Sequence, residues 1–108
     1  MEESDEQRKA AEEQLEMRER QSRLVLKQLA INKKLIERAI ERIKADREVV
    51  EKVEMKDEKN ETKRNALKAR LAEMDALLEA ERLKLEMLDF NRENVEKQLE
   101  GLSKLRGS

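Results

Sequence analysis

The chain has 108 residues, a net charge of −1, and 47% charged side chains against 37% hydrophobic ones. One Phe stands alone among the aromatics, and Trp, Tyr, Pro, Cys and His are missing. That excludes more than one domain, an aromatic-anchored globular core, a disulfide framework and any imidazole or thiolate chemistry. The charged fraction is nearly twice the roughly 25% usual for a soluble domain. With Glu, Lys, Arg, Leu and Ala dominant and Leu, Ile and Val regularly spaced, the composition reads as long helices rather than disorder. The acidic start is not a signal peptide and no apolar run approaches the ~20 residues that span a bilayer, so a cytoplasmic protein is expected.

Residues 1–14 predict a poorly packed helical extension. It opens on Ser4-Asp5-Glu6-Gln7, a capping box in which Ser4 and Gln7 satisfy each other's backbone N–H groups. Asp5 and Glu6 suit the positive end of the helix dipole.

Residues 15–57 predict a first helix with 3-4 apolar spacing. With Leu29 at heptad position a, Ile36, Ile43 and Val50 share it, and Val25, Asn32, Ala39, Asp46 and Val53 fall at d. Residues 58–65 predict a polar turn, within Lys56–Asn65, a stretch holding no apolar side chain. The turn contains neither Gly nor Pro. Asn60 suits a left-handed helix end and Thr62 suits a cap for the second helix. Residues 66–105 predict the second helix, with Leu71, Leu78, Leu85, Arg92 and Leu99 at a and Leu67, Met74, Glu81, Leu88, Val95 and Leu102 at d. Residues 106–108 form a tail, of which Gly107-Ser108 is given no functional weight.

Both helices share one heptad phase, which is what one continuous long helix requires. In a parallel pair, however, that alternative stacks Asp46, Asp57, Arg64, Glu81 and Arg92 each on its own copy. Folding back does better. Antiparallel pairing sets Val25 against Leu99, Leu29 against Val95, Ile36 against Leu88, Ala39 against Leu85, Val50 against Met74 and Val53 against Leu71. Asn32 and Arg92 then share a polar layer in the seam, while Ile43 with Glu81 and Asp46 with Leu78 fit badly. Charge agrees with this pairing: residues 23–47 carry eight basic and three acidic side chains, and residues 72–100 carry four basic and nine acidic. Lys33 is offered to Asp89 or Glu96, and Arg47 to Asp75. Such pairs contribute only ~0.2–1 kcal/mol each, enough to choose orientation. The expected fold is an all-α antiparallel helical hairpin, a two-helix coiled coil, self-associating into a four-helix dimer.

The apolar stripe is wider than a two-helix seam needs. Leu35, Val49, Leu77 and Leu105 occupy g, and Leu26 and Ile40 occupy e. Ala76, Ala80, Leu83, Met87 and Phe90 recur at 4-3-4-3 spacing away from the seam. Leu35, Val49, Leu77, Leu83, Met87 and Phe90 are therefore the candidate interface.

Catalytic, cofactor and metal sites are not expected. The hydroxyls Ser4, Ser22, Thr62, Ser103 and Ser108 lack an activating partner, and carboxylate pairs such as Glu12/Glu16 arise wherever Glu is this abundant. The basic stretch Lys33, Lys34, Arg38, Arg42 and Lys44 has no aromatic for stacking and an acidic arm opposite, so no nucleic acid, membrane or small-molecule ligand is expected either.

Val25–Ala30, V-L-K-Q-L-A, is similar to a stretch in the tubulin-binding helix of stathmin-family proteins, over six residues only. The resemblance implies a helix that binds and sequesters a cytoskeletal subunit. That is the alternative to the main expectation, a non-enzymatic structural or adaptor module whose partner is itself or another helical protein.

Overall fold

A computed structural model of the chain describes residues 4–107. It is an all-α helical hairpin. Helix α1 runs Asp5–Val49 and helix α2 runs Glu61–Gly107, joined through a π-helical turn at Val50–Glu54. The described residues contain no strand. The continuous-helix alternative is excluded, because the chain reverses between Met55 and Asn60.

α1 begins as the capping box predicts. Ser4 N donates to Gln7 Oε1 and Gln7 N donates to Ser4 Oγ, both at 3.2 Å. The expected extension over 1–14 is the first part of α1 from Asp5 onward, with every described residue to Gln14 exposed; residues 1–3 lie outside the described residues. In the expected 106–108 tail, Arg106 and Gly107 belong to α2, and Ser108 lies outside the described residues.

The chain divides into two compact units: a terminal unit, Met1–Asn32 with Leu88–Ser108, and a turn unit, Lys33–Met87.

In the turn unit, α-helical geometry stops at Val49 instead of continuing to 57, and α2 starts at Glu61 instead of 66. Val50–Glu54 adopts the wider π winding, with Met55 N donating to Val50 O at 2.9 Å. Val50 is 1% exposed. The wider winding carries Val53 off the seam, so the expected Val53–Leu71 layer does not form: Val53 is exposed and Leu71 half-buried. The cap belongs to Asn60, not Thr62. Its Oδ1 accepts from Lys63 N at 3.1 Å and its carbonyl accepts from Arg64 N at 2.9 Å. No described residue has positive φ, so Asn60 is not left-handed. Glu58 closes the turn, accepting from Asn60 N through Oε1 at 3.0 Å and from Arg64 Nη1 through its carbonyl at 3.0 Å.

The core of this unit is Ile40, Val50 and Leu78, the buried apolar side chains. Arg47 joins the two helices as expected: Nε donates to Asp75 Oδ1 at 2.6 Å and Nη2 to Oδ2 at 3.3 Å. Arg70 adds an ion pair with Glu54 at 3.3 Å.

α1 is turned about its axis relative to the expected seam. Its covered edge follows Glu19, Ser22, Leu26 and Leu29 in the terminal unit, then Lys33, Ile36, Ile40, Ile43, Arg47 and Val50 in the turn unit. These are a and e positions, and of the d residues Asn32 and Ala39 are half-buried as well. The expected d residues Val25 and Asp46 are exposed, so neither the Val25–Leu99 layer nor the Asp46–Leu78 layer forms as drawn. Side-chain size explains the rotation. Asn32, Ala39 and Asp46 at d give little apolar area, whereas Leu26 and Ile40 at e give a full aliphatic side chain each, worth ~1.5–3 kcal/mol when buried. The misfit at Glu81 is relieved locally, since its carboxylate accepts from Lys84 Nζ at 3.0 Å.

Candidate interaction surfaces

Turning α1 toward its e edge closes one side of the hairpin and opens the other. In the turn unit the closed side carries the Arg47–Asp75 pair. Arg47 is also bonded to Glu51 Oε2 at 2.7 Å. The hydrogen bond from Arg47, then its charge, holds the Asp75 carboxyl below the usual carboxylate range, and Asp75 in turn raises the Arg47 guanidinium. Lys52, donating to Glu48 at 2.6 Å, lowers the Glu48 carboxyl in the same way.

In the terminal unit the closed side carries an ion-pair cluster around Glu19. Glu19 is 2% exposed, and its Oε2 accepts from Arg106 Nη1 at 2.9 Å and Arg23 Nη2 at 3.5 Å. Arg106 Nη2 also reaches Glu16 Oε1 at 3.1 Å. Glu19 Oε1 is buried with no hydrogen-bond partner. Arg106, expected to lie in the tail, thus joins α2 to α1 here.

The expected interface residues divide between the units. Leu35, Val49, Leu77, Leu83 and Met87 are all exposed in the turn unit, and Phe90 is exposed in the terminal unit. Along the outer face of α2, Ala76, Glu79, Ala80, Arg82, Leu83 and Glu86 line a shallow groove of about 590 Å³. The alanines shape it, yet three of its six walls are charged.

The expected polar layer is not made as a bonded pair. Asn32 Oδ1 accepts from Gln28 Nε2 at 3.1 Å, and Arg92 pairs with Asp89 at 3.7 Å and Glu96 at 3.8 Å. Both residues are half-buried in the terminal unit, each partnered along its own helix.

One surface escaped the sequence reading. On the face of α1 away from its covered a and e edge, the terminal unit presents Ala10, Gln14, Met17, Gln21, Leu24, Gln28 and Ile31, its c and g positions in alternation. The same positions of α2 are Asn91, Asn94, Gln98, Gly101 and Leu105. All are exposed and none is charged. Between the helices, beside the g positions, lies a groove of about 510 Å³ lined by Arg18, Gln21, Ser22, Val25, Val95, Gln98, Gly101, Leu102 and Leu105, with Arg18 its one charged residue. Gly101 leaves its floor open, with nothing within 4 Å of where a Cβ would lie. The signal in the sequence is the lack of charge at 3-4 spacing in a chain that is 47% charged. A search for apolar residues alone passes over it, because glutamines interleave the Met, Leu and Ile.

No group of three metal-ligating side chains occurs among the described residues, and no described helix is long and apolar enough to cross a membrane. The chain matches no family model, no curated protein and no solved structure.

Proposed function

We propose that the chain is a non-enzymatic helical interaction module that associates with itself and thereby joins or scaffolds whatever it is attached to. The carrying observation is the disproportion between core and surface. Among the described residues Ile40, Val50 and Leu78 are buried, whereas twelve large apolar side chains are 44–67% exposed. Several of these recur at helical spacing, the arrangement that marks a surface awaiting a partner rather than scattered exposure. The hairpin's packed seam favours this reading over a helix that sequesters a cytoskeletal subunit, which would need an arm free to lie along its target.

Sedimentation equilibrium of the isolated chain tests the proposal. A stable homo-oligomer at micromolar concentration is expected. A folded monomer up to millimolar concentration would overturn it.

A further inference from the structure

We propose that copies of the chain associate head to tail through the turn unit, the outer face of α2 in one copy receiving the outer face of α1 from the next. The inference deepens the self-association reading and rests on it.

Both faces are exposed rows in which aliphatic side chains stand beside charges of one sign. On α2 the row holds Glu73, Ala76, Ala80, Leu83 and Met87 at c and f, with Glu79 and Glu86 beside it at b. The shallow groove shaped by the alanines lies on this face. On α1 the row is Leu35, Arg38, Arg42, Ala45 and Val49, its c and g positions. Leu83 and Met87 are 58% and 60% exposed, and Leu35 and Val49 are 56% and 50% exposed. From Leu35 to Val49, as from Glu73 to Met87, the row is about 21 Å long at ~1.5 Å rise per residue, so the two match in length.

Charge argues that one row covers the other. Next to the α2 row, Asp75 is already paired with Arg47 and Glu81 with Lys84. Among the described residues Glu73, Glu79 and Glu86 have no ion pair, and neither have Arg38 and Arg42 on α1. Unpaired anions on one helix thus find unpaired cations on the other, each set beside aliphatic side chains that bury together. Arg82, the groove's cation, stands at e beyond the glutamates, where its charge acts on Asp75. Lys34 and Glu41 offset each other at one border of the α1 row, and Asp46 stands at the other.

Direction makes the contact head to tail. At about 100° per residue, each row lies opposite the covered edge of its own helix, a and e on α1 and a and d on α2. The rows therefore point away from each other across the turn unit, and one copy cannot present both to a single partner. Contact between unlike faces is heterologous, so it propagates into a chain or a larger ring instead of closing at a dimer.

Charge reversal on each face tests the inference. One variant carries Arg38→Glu with Arg42→Glu, a second Glu79→Lys with Glu86→Lys, and a third all of these changes. Every substitution puts a good helix former at an exposed position, and circular dichroism checks that helicity is retained. Sedimentation velocity of the parent is expected to show species larger than a dimer that grow with concentration. Either two-site variant alone should associate at least about tenfold more weakly. Their mixture and the combined variant should recover to within about threefold of the parent. The combined variant keeps the parent's net charge of −1, so its recovery is not an effect of bulk charge. Two-site variants that assemble like the parent overturn these faces and leave self-association by another surface intact. Weakened variants that neither mixing nor combination restores overturn the pairing of α1 with α2. A parent that stops at a dimer overturns the head-to-tail contact but not self-association. A monomeric parent overturns this inference and the proposed function together. Should a variant lose helicity, spin labels on Ala45→Cys in one copy and Ala80→Cys in another read the same contact, since the chain has no cysteine of its own. A separation within about 25 Å, near the row's own length, is expected in the mixture; its absence overturns the contact.

Discussion

Ile40, Val50 and Leu78 all belong to the turn unit, whereas among the described residues the buried side chain of the terminal unit is Glu19, a carboxylate with one oxygen unbonded. The two units are built from the same two helices on the same heptad spacing, and among the described residues each exposes six large apolar side chains, yet the turn unit alone also buries apolar side chains fully. The turn unit gains Ile40 at e on α1, a buried Val50 at the π winding and the Arg47–Asp75 clasp. The terminal unit has Ser22 where α1 should supply an apolar a residue, and it leaves Met17, Leu24, Val25 and Ile31 exposed. The comparison teaches that heptad spacing sets which residues can be covered, while the size of the residue at each position decides which are.

The largest expected effect breaks the core of the turn unit. Leu78→Ala removes a side chain that is 6% exposed and should cost about 2–4 kcal/mol in urea denaturation, combining lost burial and a cavity. Leu102→Ala, at a half-buried position of the terminal unit, should cost about 1–2 kcal/mol. The reverse order would place the core in the wrong unit.

Next in size is Arg106→Ala. It strands the buried Glu19 carboxylate with only Arg23 at 3.5 Å, and should cost about 1–2 kcal/mol. Fraying of the last turns of α2, seen by circular dichroism or proteolysis, accompanies it. A variant as stable as the parent would show that the clasp contributes nothing.

Smaller again is the coupling between Asn32 and Arg92. Because each side chain is partnered along its own helix, Asn32→Leu and Arg92→Leu should add to within about 0.5 kcal/mol in a double-mutant cycle. Coupling well above that would mean that the two side chains meet across the seam after all.

The smallest effect is acid sensitivity. Asp75 and Glu48 are both held below the usual carboxylate range by cationic hydrogen-bond donors. Their contribution is complete above the unfolded carboxylate range near ~4 and is lost as pH falls through the lower folded values. Thermal melts between pH 5 and pH 2 should therefore show a falling melting temperature, and Arg47→Met should flatten that fall. An identical fall in the variant would remove Arg47 as its cause.

The hairpin was legible in the sequence because two kinds of signal agreed: apolar a and d positions on both arms, and opposite charge on facing stretches. The capping box and the Arg47–Asp75 pair were legible for the same reason, each depending on residue types at fixed spacing. The rotation of α1 was harder to see. Heptad lettering treats Asn32, Ala39 and Asp46 as seam residues by position, and only comparing their area with Leu26 and Ile40 shows that the e edge wins. The π winding at Val50 left no mark, since neither Gly nor Pro announces it. Asn60 has a preference for either helix end, so its role followed from where the chain turned. The uncharged side was present in the sequence as a pattern of missing charge, which an apolar periodicity does not register.

Native-state hydrogen exchange in dilute solution, residue by residue, tests the division between the units most directly. Amides around Ile40–Ile43 and Leu78 should exchange only through global unfolding. Those around Ser22–Gln28 and Val95–Gly101 should exchange through cheaper, local openings. Uniform protection along both helices, or greater protection in the terminal unit, would contradict the division.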